Sequence, residues 1–165
     1  MRLDTDTAHL AFGYLNFIPI SGRPNLNVTR HTTLTVPTRG KGLYPFTKPA
    51  ADWISKAAVR SGLFTAFVQH TSCSLVIQEN ADPDVTVDMR DFFEHLVPED
   101  AIDFRHMAEG PDDMTSHIRS ALTGTTLTVP LVSGRLALGT WQGLYVFEHR
   151  SAPHRRQIVL QLMGE

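Results

Sequence analysis

The segment from Asp103 to Ser120, DFRHMAEGPDDMTSHIRS, places two imidazoles and four carboxylates within eighteen residues. A neutral histidine offers a lone pair to a metal ion, and zinc takes three or four such ligands in proteins. His106 and His117 are therefore candidate ligands. The sequence has no HExxH motif and no close His-x3-His pair, so a polar surface loop leading into a helix stays open as the alternative.

The two acids that begin this short helix also allow two interpretations. Asp112 and Asp113 stand where carboxylates cap a helix and complement its dipole. One of them could instead orient a ligating imidazole or accept a proton.

A second group of polar residues follows two predicted strands. His70 ends one strand in VQHTSCS, and Glu79 and Asn80 directly follow the next in QENADPD. Polar residues at strand ends commonly build sites, although a histidine at such an edge is often only structural. Cys73 lies three residues after His70 and is better explained as a small buried residue than as a nucleophile.

The segment GTWQG is the third feature. Trp141 is either a core residue or a ring presented at a pocket or subunit interface, and Gln142 can both donate and accept hydrogen bonds. Glu148 lies six residues after Gln142, so on an unbroken strand both side chains would point to the same face. Arg155 belongs to a basic run that is either solvated surface or an anion-binding rim.

Composition excludes several classes of function. The chain has 165 residues, one cysteine and a formal net charge of −2. Without a basic block, nucleic acid is not an expected partner, and without an apolar run of eighteen residues no membrane span is predicted. The single cysteine fits a reducing compartment, so we expect a cytoplasmic protein.

The pattern of elements predicts one compact α+β domain over residues 30–165, preceded by a loosely packed or poorly ordered extension over residues 1–29. Helices are expected over 47–60, 82–96 and 112–122, with a mixed or antiparallel, sandwich-like sheet formed by the strands between them. Ser133 and Gly134 are typical of a hairpin turn. Val85, Met89, Phe92, Phe93 and Leu96 would form the apolar face of the second helix.

Three segments together closely resemble the YjbQ family, known as secondary thiamine-phosphate synthase enzymes. They are QHTSCSLVIQENADPDVTVDMRDFF, HMAEGPDDMTSHIRSALTGTTLTVP and GRLALGTWQGLYVFEHR. The resemblance runs from about Thr32 to Glu165. It implies a homotrimer with a metal site whose expected ligands are His70, His106 and His117. Three imidazoles suit zinc, which is therefore the expected metal.

The resemblance also implies roles for the remaining candidates. Glu79 and Glu148 stand on family motif positions and, with Asp113 from the start of the short helix, are expected as acid/base or supporting groups. Asn80, Trp141 and Gln142 stand on motif positions and, with Arg155 from the basic run, are expected as substrate-binding residues. The implied activity joins a pyrimidine pyrophosphate to a thiazole phosphate, as a secondary reaction of an enzyme on small phosphorylated molecules. A metal-dependent hydrolase and a non-catalytic metal- or small-molecule-binding trimer stay open, because all three need the same residues.

Overall fold

A computed structural model describes residues 28–100 and 103–165. The expectation of a loosely packed extension therefore falls, for residues 1–27, outside the described residues. Within these ranges the chain forms eight strands and three helices. The strands are Val28–Pro37 (β1), Gly42–Pro45 (β2), Gly62–Val68 (β3), Cys73–Glu79 (β4), Thr126–Val132 (β5), Arg135–Leu136 (β6), Gln142–Glu148 (β7) and Arg155–Gly164 (β8). The helices are Thr47–Ile54 (α1), Pro83–Leu96 (α2) and Asp113–Thr123 (α3).

The strands form two antiparallel sheets, which confirms the α+β class. One sheet has the order β1-β8-β3-β5-β6 and the other the order β2-β7-β4. Buried apolar side chains of both sheets and of α1 form one core. Alternate residues of β8 are buried, as expected for a strand with one face on the core. In contrast, β7 is buried on both faces, because the Phe93 ring of α2 packs edge-on against Phe147 at 5.2 Å.

The first helix is shorter than its sequence predicts. It ends at Ile54 rather than near Arg60, because the next turns tighten: the N–H groups of Lys56 and Ala57 bond to carbonyls three residues back. Ala58 then adopts a positive φ of 55°. Thr47 does not cap the helix. Its hydroxyl accepts a hydrogen bond from the Leu144 N–H at 2.7 Å and so attaches α1 to β7.

The second helix begins as predicted, but its apolar face is less buried than its sequence predicts. The Asp82 carboxylate accepts the Asp84 N–H at 2.9 Å, and Pro83 occupies the first turn. On the predicted apolar face, Phe92 stays 60% exposed and Leu96 52% exposed. The apolar face of α2 is thus only partly covered by the rest of the described chain. None of the described helices combines the length and apolar character needed to cross a membrane.

The hairpin predicted at Ser133 and Gly134 is confirmed. Both residues have positive φ, 52° and 77°, and Val132 pairs with Arg135 across the turn. Two consecutive positive φ values are typical of the tight turns that match the twist of an antiparallel pair. The turn lies beside the segment that connects α1 to β3, since the Gly134 N–H bonds to the Arg60 carbonyl at 2.8 Å.

A buried ion pair joins the ends of three strands. Glu148 is fully buried at the end of β7, and both of its oxygens bond to Arg156 of β8, which is 2% exposed. The Thr38 hydroxyl donates to the same carboxylate at 2.7 Å from the residue after β1. The backbone N–H groups of His149 and Arg150 donate to its other oxygen at 3.1 and 3.0 Å.

Replacing Glu148 with Gln is expected to lower the free energy of unfolding by about 3–5 kcal/mol, because it leaves Arg156 as an uncompensated buried charge. Urea unfolding at pH 7.5 measures the loss. Asp52→Asn is the matched control, since its pair with Lys48 is largely exposed and should contribute under ~1 kcal/mol. Equal losses in the two variants would contradict the role given to Glu148.

Candidate metal centre

Three side chains of α3 and the preceding loop converge at one point. Asp113 opens α3, and His117 follows one turn later on the same face. The loop before the helix brings the Nε2 atom of His106 to 2.7 Å from the Asp113 Oδ2 atom, while the Nε2 atom of His117 lies 3.4 Å from it. One donor atom from each residue lies within 4.8 Å of the others. The structure thus brings together the predicted ligands His106 and His117 and adds Asp113 between them.

One hydrogen bond of His117 indicates which of its ring nitrogens carries the proton. The Nδ1 atom lies 2.9 Å from the Thr71 carbonyl, which can only accept, so Nδ1 carries a proton. In the neutral ring, Nε2 then presents a lone pair toward the Asp113 oxygen. Two acceptors that face each other repel, and a proton or a cation bound between them would remove that repulsion.

Arg150 holds the other side of the carboxylate. Its Nη1 atom bonds to the Asp113 Oδ1 atom, and its Nη2 atom donates to the Glu109 carbonyl at 2.7 Å. The Asp113 side chain is 2% exposed, and the Arg150 guanidinium on Oδ1 compensates its buried charge. Oδ2 is consequently the oxygen turned toward both imidazoles.

Asp112 supports the same loop but does not cap the helix through its side chain. Its Oδ2 atom accepts the Ser151 N–H at 2.7 Å and lies 3.3 Å from the Nε atom of Arg150. Burial alone would raise the pKa of Asp112, but the Ser151 and Arg150 contacts outweigh it and hold the pKa below its usual range. Asp112 therefore fixes Arg150, which in turn fixes Asp113.

His70, the third predicted ligand, lies outside this three-residue cluster. Its Nε2 atom accepts the Gln157 N–H at 2.8 Å, so that lone pair is already engaged and the ring is neutral. Burial, and then the charge of Arg156, lower the pKa of His70. His70 and His117 nevertheless border the same open cavity of about 260 Å³, with Thr71, Ser120, Ala121 and Thr125. His70 therefore lies beside the cluster of His106, Asp113 and His117 and is not a member of it.

The structure separates the remaining candidates from the histidines. Cys73 pairs with Glu148 at one end of the β4–β7 ladder, and Glu79 pairs with Gln142 at the other. Six residues along a strand span about 20 Å. Glu79 therefore lies far from the Cys73 end of β4, where the Thr71 carbonyl bonds to His117. Within one chain, the predicted acid/base and substrate-binding residues at that end do not meet the cluster.

The GTWQG segment forms a closed turn at this distant end. The side-chain oxygen of Gln142 accepts the Gly139 N–H at 2.8 Å, and the Asn80 side-chain amide donates to the Gln142 carbonyl at 3.3 Å. Asn80 also bonds through its backbone to Trp141. Trp141 itself is 64% exposed and is therefore not a core residue.

Two further candidates have clear positions. Burial alone would raise the pKa of Glu148, but hydrogen bonds from Arg156, Thr38 and the Arg150 backbone outweigh it and lower the pKa. Glu148 has no exposed surface in the described chain, and its carboxylate bonds to Arg156 and Thr38. Arg155 is exposed at the start of β8.

Two other residues are core groups. Cys73 is fully buried, and burial raises the pKa of its thiol to about 12, which confirms its interpretation as a small buried residue. His149 is 1% exposed and bonds to the Ser74 hydroxyl at 2.9 Å. Neither residue belongs to the cluster.

The family model described as "UPF0047 protein YjbQ-like" matches residues 32–165. The chain belongs to the YjbQ family. A UPF0047 protein of Synechocystis is 52% identical over 132 residues, covering 80% of this chain and 90% of the relative. The UPF0047 protein YjbQ of Escherichia coli O157:H7 is 40% identical over 134 residues, covering 81% and 96%.

Two solved structures have the same fold. A conserved hypothetical protein from Thermus thermophilus superposes with a TM-score of 0.71 at 34% identity, covering 79% of this chain and 98% of that one. A hypothetical protein from Aeropyrum pernix gives a TM-score of 0.75 at 27% identity, covering 82% and 99%. The family and its fold are thereby shown, whereas residues 1–31 lie outside the family match.

Sequence reasoning missed Arg150 as the partner of the acids. Arg150 lies 37 residues after Asp113 and appears in the sequence only as part of a basic run. Its contact depends on how the end of β7 faces the start of α3, which no local pattern encodes. The Thr71 carbonyl that sets the His117 tautomer carries no side-chain signal at all.

The stability of the chain should fall as the pH drops from 6.5 to 5. Burial, and next the charge of Arg119, lower the pKa of His149 from 6.5 to about 3. The unfolded chain therefore takes up the proton first, so stability is complete above pH 6.5 and is lost progressively toward pH 3. At ~1.4 kcal/mol per pH unit, the loss between pH 6.5 and 5 is about 2 kcal/mol. The lowered pKa of His70 adds a loss of the same sign.

Urea unfolding of wild type and His149→Gln over pH 5–7.5 measures this slope. The variant should show a flatter pH dependence, whatever its stability at pH 7.5. His95→Gln, at an exposed position, should keep the wild-type slope. An unchanged slope in His149→Gln would rule out His149 as its source.

Proposed function

We propose that this protein is a metal-dependent enzyme whose divalent ion, of the zinc class, binds at His106, Asp113 and His117. The observation that carries the proposal is the convergence of two imidazoles on one carboxylate oxygen: the Nε2 atoms of His106 and His117 lie 2.7 and 3.4 Å from the Asp113 Oδ2 atom. A bound cation would satisfy all three donors at once. Asp113 thus replaces His70 in the ligand set proposed from the family resemblance.

The donor set fits zinc in type and spacing. Two imidazoles and one carboxylate are a known ligand set of catalytic zinc, which keeps a further position open for water or substrate. With metal–ligand bonds of about 2.0–2.1 Å, neighbouring tetrahedral ligands lie about 3.3 Å apart. The separations of 2.7 and 3.4 Å around the Asp113 oxygen bracket that value. Arg150 and the Thr71 carbonyl would supply the outer contacts that orient ligands in such sites.

Access favours catalysis over a closed structural site. The His106 side chain is 46% exposed, and the cavity beside His117 is open to solvent. A metal in this position would supply a Lewis acid and could lower the pKa of a bound water. His70, held neutral through its bond to Gln157, would stand beside this cavity as a hydrogen-bonding group for a ligand.

The substrate class rests on the family resemblance. A small phosphorylated molecule, with thiamine-phosphate synthesis as a secondary activity, is the proposed substrate, and the metal would offset charge on a leaving pyrophosphate. The exposed Arg155 would be the anion-binding group. A homotrimer is proposed with it, supported by the exposed apolar side chains of Phe92, Leu96 and Trp141. A cytoplasmic location stays a prediction from the single cysteine.

Metal content tests the site. Protein purified without a histidine tag should hold about one zinc-class ion per chain, and His106→Ala, Asp113→Asn and His117→Ala should each reduce it to background. Arg150→Gln keeps all three ligands and should weaken affinity about 10–100-fold. His95→Ala, an exposed histidine on α2, is the matched control and should bind like wild type.

Turnover tests the activity on the same proteins. With a pyrimidine pyrophosphate and a thiazole phosphate, wild type and His95→Ala should form thiamine phosphate, and the three ligand variants should not. Undiminished turnover in metal-free variants would sink the metal-dependent mechanism. Faster hydrolysis of other phosphorylated substrates would favour a hydrolase, and stoichiometric metal with no turnover would favour a binding protein.

A further inference from the structure

A cleft runs between α1 and the β5–β6 hairpin, away from the metal centre. One cavity of about 420 Å³ has Ala51, Ile54, Leu136 and Leu138 along its walls. A second cavity of about 310 Å³ shares Ile54, Ser55 and Gly134 with the first and continues toward Val59 and Arg60. The two form one groove with largely apolar walls, which we call the α1 groove.

The described chain begins beside the far end of this groove. Val28 pairs with Gly164, which pairs on its other side with Gly62. Neighbouring strands lie about 4.8 Å apart, so Val28 is about 10 Å from Gly62. Gly164 packs against Val59, and the Arg60 N–H bonds to the Glu165 carbonyl at 2.7 Å. The chain preceding Val28 therefore starts within about two strand spacings of the groove wall.

The sequence before Val28 has an apolar stretch at a suitable distance. Residues 10–20 read LAFGYLNFIPI, without a charged residue, and residues 21–27 read SGRPNLN. An extended chain of eight residues, from Ile20 to Val28, reaches up to about 26 Å. That length exceeds the distance from Val28 to the groove.

We propose that residues 10–20 of the same chain bind in the α1 groove. An attached segment competes at an effective concentration in the millimolar range for short flexible linkers, which favours it over a separate partner. The polar residues 21–27 would span the gap, while apolar side chains such as Phe17 and Ile18 would cover the groove. The apolar side chains of the segment and the apolar walls of the groove would then be removed from water, and this burial would drive binding.

The proposal is independent of the metal centre. Val28 and Pro37 mark opposite ends of β1, about 30 Å apart along the strand. The residues around Thr38 and Arg156 that support the metal centre lie at the Pro37 end, and the groove opens at the Val28 end. Filling the groove should therefore leave metal binding unchanged.

Cysteine cross-linking in the full-length chain tests the location. The native Cys73 is buried and its pKa is raised to about 12, so it stays silent. Ser55→Cys, at an exposed position beside the groove, is combined in turn with Leu15→Cys, Phe17→Cys or Ile18→Cys. At least one pair should form an intramolecular disulfide under mild oxidation. Ala152→Cys, exposed near the opposite end of the β1–β8 ladder, replaces Ser55→Cys in the control and should not cross-link.

Three outcomes would overturn the proposal: no pair with Ser55→Cys cross-links, the Ala152→Cys control cross-links equally, or disulfides form only between two chains. The last result would assign the groove to a second copy of the protein.

Hydrogen exchange gives a second readout without engineered cysteines. Phe17→Asp/Ile18→Asp should release the segment and raise exchange rates at residues 51–60 and 133–138 at least ~10-fold, since a loss of about 1.4 kcal/mol is a tenfold change. Asn25→Asp/Asn27→Asp adds the same charge to the linker and should leave those rates unchanged. Equal exchange in both variants and wild type would contradict the assigned location.

Discussion

The buried ion pair between Glu148 and Arg156 fixes the end of the molecule where the histidines meet. Glu148 has no exposed surface, yet its carboxylate binds Arg156, Thr38 and two backbone N–H groups. Burying a charge is unfavourable unless such partners compensate it. Because the partners come from β8, the end of β1 and the chain after β7, satisfying this one group holds three segments in a single arrangement.

Two contacts link that arrangement to the cluster of His106, Asp113 and His117. Glu148 accepts the Arg150 N–H, and the Arg150 side chain holds Asp113. Arg156 also donates to the Ser72 carbonyl at 3.3 Å, next to the Thr71 carbonyl that receives the His117 Nδ1 proton. Asp113 and His117 lie on the same helix but are oriented from two different places. The Arg150 side chain after β7 orients Asp113, and the Thr71 carbonyl before β4 orients His117. Preorganised outer contacts of this kind are what a metal ligand set requires.

The sequence predicts the boundaries of several helices and turns, and it predicts part of the cluster of His106, Asp113 and His117. Asp82 and Pro83 set the start of α2, and Ser133 with Gly134 sets the hairpin, because each acts on its own neighbours. His106 and His117 were recognisable as a pair by type and proximity. The bond from Gln157 to His70 spans 87 residues, and the separation of Gln142 from the histidines follows from strand register. Such contacts depend on sheet pairing, which strand periodicity does not specify.

The central claim is that Asp113 and two histidines, rather than three histidines, bind the metal. Crystals grown with zinc and measured on both sides of the zinc absorption edge test it directly. The account predicts one anomalous peak per chain, bounded by the Nε2 atoms of His106 and His117 and the carboxylate of Asp113. A peak on His70 without Asp113, or a zinc-binding protein with no peak at α3, would contradict it.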